Sequence, residues 1–212
     1  MSCDECQAIP IFHPGRCGSS VLTTLLQDHP GIHGLGEVHT PDTYVGHRIR
    51  ETVWLRARDR IIRKSRPAAA LTAKCAIEAY LDAPASRYVT LENKLDVFLR
   101  QDDPIDLSTY VDSLVGFGFS KAILLNRVNL LARLASLISA EQTGVWHVLS
   151  EPNEVHRIIL PVDSVSDFSM GVSCAPLPAY LDHCDKFIRS SFDIIRSKFN
   201  CLELFYEDSI ER

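Results

Sequence analysis

Hydrophobic and polar positions follow two rhythms along this chain. Ile9, Ile11 and Phe12 make a short apolar run, and small and hydroxylic residues interrupt it from His13 to Ser20. Val21, Leu22, Leu25 and Leu26 then recur at i, i+1, i+4 and i+5, opposite Thr23, Thr24, Gln27 and Asp28. That spacing predicts an amphipathic helix packed on a sheet, entered from a strand through a tight turn. His29-Pro30-Gly31 ends the helix, because Pro30 has no N–H to donate and disfavours helical backbone at His29. Residues 32–39 read as a short, glycine-punctuated segment returning toward the start of the same helix.

Helical rhythm resumes over about 42–66, where Ile49, Val53, Ala57 and Ile61 recur every fourth residue. Residues 71–77 read as a buried strand carrying Lys74. The polar, proline-broken stretch 82–107 reads as a loop excursion. A helix over about 106–115 follows, then an apolar run of strand length at 121–126 that leads at once into another helix. Residues 147–177 are short of pattern and read as irregular. Leu181, Cys184, Ile188, Phe192, Ile195 and Phe199 keep the rhythm of a core-facing helix, which feeds a last strand over 201–206. Strands alternating with helices predict an α/β domain with a mainly parallel central sheet flanked by helices. Ligands on such sheets bind at the carboxyl ends of the strands.

Composition changes this picture little. The 212 residues suit one domain over 1–212, and 46 % hydrophobic with 23 % charged residues is ordinary globular usage. A net charge of −5 argues against a general nucleic-acid binder. The segment 48–66 nevertheless carries eight basic residues against Glu51 and Asp59, and fits either a solvated helix face or a lip that attracts an anion. No window is apolar enough for a membrane span, and the acidic start is unlike a signal peptide. Of seven cysteines only Cys3 and Cys6 are closely spaced, so free thiols and a cytoplasmic location are expected. No cluster at metal-ligand spacing is visible.

The chemistry concentrates in His13-Pro14-Gly15-Arg16-Cys17-Gly18-Ser19-Ser20. A strand-to-helix turn aims backbone N–H groups and the positive end of a helix dipole at one spot. Gly18 allows close approach, Ser19 and Ser20 offer hydroxyls, and Arg16 offers a fork of donors for an anion. The same residues also fit an ordinary turn with a serine N-cap. The nucleotide-triphosphatase loop does not fit, since Arg16 precedes the glycine and no lysine occurs before Lys64. Further on, Arg127 closes a strand and Ser136 lies nine residues on, inside the next helix. Both can reach one phosphate, or each can serve locally, Arg127 as a cap and Ser136 bonded to its own helix.

Taken together, Pro-Gly-Arg-Cys-Gly-Ser-Ser-x-Leu, the run Arg127-x-Asn129…Ser136…Ala140-x-Gln142-Thr143-x-x-Trp146, and Tyr206-Glu207-Asp208 resemble the sulfotransferases that use 3′-phosphoadenosine 5′-phosphosulfate (PAPS). The resemblance is strongest to the bacterial Stf0-type branch. It implies a three-layer, P-loop-like domain and a metal-free transfer of SO₃ to a hydroxyl of a small-molecule or carbohydrate-type acceptor. By that resemblance Arg16, Cys17, Gly18, Ser19 and Ser20 hold the 5′-phosphosulfate, Cys17 through its backbone N–H. Arg127 and Ser136 hold the 3′-phosphate, Arg16 balances the leaving group, and Glu37 is the general base. His39 and His33 stand nearby as alternative bases. A catalytically silent protein binding PAPS or 3′,5′-ADP is the alternative function. A P-loop-like kinase would need a lysine and a magnesium-binding acid near the loop, and the sequence places neither there. A homodimer is compatible with the resemblance, with 145–147 as a candidate contact.

Overall fold

The structure, a computed structural model, describes residues 7–37, 87–99, 106–116, 118–144, 159–160, 162–167 and 170–210. The expected helix over 42–66, the strand over 71–77, His39 and the 145–147 stretch lie outside these residues.

Among the described residues, strand β1 (Gln7–His13) comes first; the chain then turns through residues 14–18 and enters helix α1 (Ser19–Gln27). Strand β2 (Ile32–Glu37) follows. Then come strand β3 (Tyr88–Lys94), a 3-10 turn (Leu95–Leu99), helix α2 (Leu107–Gly116), strand β4 (Lys121–Asn126) and helix α3 (Leu130–Thr143). Strands β5 (Val165–Asp167) and β6 (Val172–Ala175) form a small antiparallel pair. Helix α4 (Leu177–Arg196), strand β7 (Asn200–Phe205) and the single turn α5 (Tyr206–Ser209) complete it. Five strands join in the order β2-β3-β1-β4-β7, every pairing parallel. β1 therefore lies at the centre, and the turn after it opens at the carboxyl edge of the sheet.

Alternation along β1 and β4 explains the layers. Phe12, Ala122 and Leu124 face the larger core, which Tyr110, Val111, Leu114, Leu134, Cys184, Ile188 and Phe192 complete from α2, α3 and α4. Ile11, Ile123 and Leu125 face the other way, with Leu22 and Leu26 of α1 and with Cys17. The mainly parallel sheet is thus flanked by helices on both faces, as expected. None of the described helices is long and apolar enough to cross a membrane.

Two expectations need correction. The stretch 82–107 is not simply a loop excursion: it holds β3, which pairs with β1 residue for residue from Gln7↔Tyr88 to His13↔Lys94. It reads as a loop because polar residues fill it, yet Thr90, Glu92 and Asn93 are buried. Each buried polar group needs a partner. Thr23 donates to Glu92, Asn93 Nδ2 donates to the Leu91 carbonyl at 3.2 Å, and the Tyr110 hydroxyl donates to Asn93 Oδ1. The 147–177 stretch likewise is not wholly irregular, since it contains the β5–β6 pair.

Replacing Tyr110 by Phe tests that arrangement. The change leaves the fully buried Asn93 carbonyl oxygen without its donor, which costs about 1–3 kcal/mol. Urea unfolding is expected to show a lower midpoint at unchanged slope. A midpoint equal to that of the parent chain would show that this bond does not hold β3 to α2.

Candidate functional site

The turn after β1 has an unusual backbone. Gly15, Arg16 and Gly18 all have positive φ, at 75°, 54° and 82°. Glycine accepts this freely, whereas Arg16 holds a left-handed conformation that most side chains avoid. Gly18 sits at the N-cap of α1 and supplies no side-chain cap, so the serine cap that the sequence also allowed is not formed. A Cβ at Gly18 would stand 2.6 Å from Cδ2 of Tyr206, so the tyrosine ring lies directly on this backbone.

What holds the turn is Arg133, which projects inward from α3 and is 1 % exposed. Its Nε donates to the Gly15 carbonyl at 3.2 Å and its NH2 to the Pro14 carbonyl at 3.1 Å. Its NH1 donates to Asp167 Oδ2 at 3.2 Å and to the Tyr180 hydroxyl at 2.9 Å. Tyr180 in turn donates to Asp167 at 2.7 Å. Burial works against the guanidinium charge, while Asp167 and Tyr180 favour it strongly enough to leave the Arg133 pKa raised. The sequence reading singled out none of these three residues. The available signal is that Arg133 shares an i, i+4, i+7 stripe with the buried Leu137 and Ala140.

On one side of the turn the structure brings together residues predicted from separate motifs. The Arg16 guanidinium donates to Ser136 Oγ through Nε at 3.1 Å and NH2 at 2.9 Å, across 120 positions of sequence. Arg127 NH1 donates to the Arg16 carbonyl at 3.4 Å, and its guanidinium lies 4.4 Å from the centre of the Tyr206 ring. Arg127 Nε is buried with no hydrogen-bond partner among the described residues. Burial and the like charges of Arg127 and Arg133 lower the Arg16 pKa, as expected where cations crowd. The motif residues also brace one another. Asn129 caps α3 by accepting from Ala132, and Glu207 accepts from the Val128 and Asn129 amides at 3.2 and 2.9 Å. A cavity of about 350 Å³ opens beside Arg127, lined by Leu130, Ile188, Phe192 and Phe205 and by the charged Asp185, Arg189, Asp193, Arg196 and Glu203.

Ser19 is the first residue of α1 and buried, whereas Ser20 is exposed. Cys17 is buried in the apolar cluster under α1. His33 lies within β2 and Glu37 at its carboxyl end.

The other side of the turn is acidic, and the sequence reading missed most of it. Glu37 Oε1 lies 2.8 Å from Lys94 Nζ. Lys94 ends β3 and reaches the turn: a Cβ on Gly15 would stand 3.9 Å from its Cε. The lysine that the sequence does not place beside the loop thus arrives from a neighbouring strand. Glu92 Oε2 lies 3.5 Å from Nε2 of the fully buried His13. Burial raises the Glu92 pKa, but His13 and Thr23 outweigh it and hold the carboxyl below its ordinary range. For His13, burial disfavours charge, while Cys17 and Glu92 favour it and lift the pKa to about 10. The Gly15 N–H, 3.2 Å from Nδ1, favours instead the neutral ring with its proton on Nε2. With Nδ1 accepting that bond, the ring stands neutral beside Glu92.

No protein-family model matches this chain, and no curated protein matches it.

Two substitutions probe the turn. Arg133→Met strands Asp167 and two loop carbonyls in the interior, an expected loss of about 3–5 kcal/mol in unfolding free energy. A loss under about 1 kcal/mol would mean that Arg133 does not clamp the turn. Gly18→Ala meets both a left-handed backbone and the Tyr206 ring, so an additional loss of about 1–3 kcal/mol is expected by the same measurement.

Proposed function

We propose that the chain is a sulfotransferase that moves a sulfuryl group from PAPS to a hydroxyl of a small-molecule or carbohydrate-type acceptor. One observation carries the reading: Arg16, Arg127 and Ser136, drawn from two motifs more than a hundred residues apart, meet beside the turn after β1. Crowded cations with a buried, unpartnered guanidinium nitrogen favour binding of a dense anion. A nucleotide carrying phosphates at both the 3′ and 5′ positions has that charge, and the cavity beside Arg127 offers its nucleoside a partly apolar wall.

In this reading the P-loop-like turn holds the 5′-phosphosulfate against the N-terminus of α1, through the backbone of residues 16–20 and the hydroxyls of Ser19 and Ser20. Arg127 and Ser136 take the 3′-phosphate. The acceptor oxygen attacks sulfur in line, the S–O bond to the 5′-phosphate breaks, and 3′,5′-ADP leaves with its new charge balanced by Arg16. Glu37 takes the acceptor proton. Its Oε2 has no hydrogen-bond partner among the described residues, while Lys94 steadies Oε1. A reducing cytoplasm suits the free thiols of Cys17, Cys174, Cys184 and Cys201.

Calorimetric titration tests the donor. 3′,5′-ADP is expected to bind far more tightly than 5′-AMP, and Arg127→Ala to weaken it by about 1.5–3 kcal/mol, roughly ten- to a hundredfold. Equal affinity for the two nucleotides would remove the 3′-phosphate site and the proposal with it. Tight 3′,5′-ADP binding without transfer from PAPS to any of a broad panel of hydroxyl acceptors would favour a silent binding protein of the same fold.

A further inference from the structure

Three strands deliver one side chain each to a single buried spot beneath the turn. His13 ends β1, Glu92 lies in β3 and Glu37 ends β2. One ligand atom from each lies within 4.8 Å of the others. Each side chain is also steadied through its other polar atom. Thr23 donates to Glu92 Oε1, Lys94 Nζ sits 2.8 Å from Glu37 Oε1, and the Gly15 N–H donates to His13 Nδ1. The remaining atoms include two that are buried with no hydrogen-bond partner among the described residues, His13 Nε2 and Glu37 Oε2. Glu92 Oε2 lies 3.5 Å from that same Nε2.

We propose that His13, Glu37 and Glu92 form a binding site for one divalent first-row transition cation. The donor set is one imidazole nitrogen and two carboxylates, the carboxylates held by Thr23 and Lys94, a familiar kind for such ions. Bonds of about 2.1 Å put neighbouring ligand atoms roughly 3–3.5 Å apart, so the trio closes modestly on an ion. Glu37, at a strand end and 13 % exposed, is the ligand that moves to do so. The charge suits a cation: two carboxylates exceed the single neighbouring Lys94, and the ion satisfies atoms that burial otherwise leaves without a partner. Binding through Nε2 moves the ring proton to Nδ1, so the Gly15 N–H gives up its acceptor. The ion is thereby linked to the backbone of the turn. No contiguous motif announces the site, because its three ligands stand on separate strands.

A cation on Glu37 Oε2 would occupy the atom that the sulfotransferase reading gives to the acceptor proton, so the two are alternatives at Glu37, and the site is tested without nucleotide. Mn²⁺ is the probe, because it binds thiolates poorly and so avoids Cys3 and Cys6. Titration of the full chain, followed by electron paramagnetic resonance, is expected to show one strong Mn²⁺ per chain. Pulsed spectra are expected to carry a nitrogen coupling that changes on ¹⁵N-histidine labelling. Glu37→Gln, whose folding is checked by circular dichroism, is expected to weaken binding at least tenfold. Absent stoichiometric binding, absent histidine coupling, or affinity unchanged by Glu37→Gln would each overturn the proposal.

Discussion

The turn after β1 depends on one buried cation. A backbone with three positive-φ residues in a span of four has little reason to persist unaided, and Arg133 supplies the reason by taking two successive carbonyls, from Pro14 and Gly15. Peptide geometry then follows. In a trans peptide the N–H points opposite to the carbonyl, so the Arg16 N–H is turned away from Arg133 toward the mouth of the turn. A buried guanidinium is costly unless its donors are matched, and Asp167 and Tyr180 complete the match from β5 and α4. This gives the small β5–β6 pair and the start of α4 a role: they carry the counter-charge that lets a cation sit behind the turn.

The parts of the fold legible in the sequence were those whose grammar is local. Strand, glycine turn and helix over 7–27 announce themselves within twenty residues, and α4 keeps its apolar rhythm for five turns. β3 was illegible for a physical reason. Lying inside the sheet beside β1, it has no solvent face to impose alternation, and it buries Glu92 and Asn93 through bonds to Thr23 and Tyr110, which lie 69 and 17 positions away. Polar composition signals a loop only where polar groups meet water; here they meet one another.

The same distinction divides the site. Arg16, Arg127 and Ser136 stand in motifs that the sulfotransferase resemblance marks, although Arg127 and Ser136 taken alone also fit local roles. Arg133 looks like any helical arginine until its place on the buried stripe is noticed. Lys94 and Glu92 could not be placed while their strand was read as a loop, and Lys94 shows the consequence. The absence of a lysine near the loop in sequence says nothing about its absence in space, since a parallel strand ends beside β1 and delivers one.

Sheet order accounts for the polarity of the site. Since β1 is central, its turn receives side chains from β2 and β3 on one flank and from β4 and α3 on the other. The first flank brings Glu37, Glu92 and Lys94; the second brings Arg127, Arg133 and Ser136. A crevice divided in this way separates two tasks that interfere when mixed. Anion binding needs uncompensated positive charge, while a group that accepts a proton or a cation needs a carboxylate kept clear of arginine. β1 itself stands between the strand of Glu92 and the strand that leads to Arg127, so the acidic and basic groups face one another only across it. The parallel sheet keeps them two strand spacings apart, roughly 5 Å to either side of β1, which limits their mutual neutralisation.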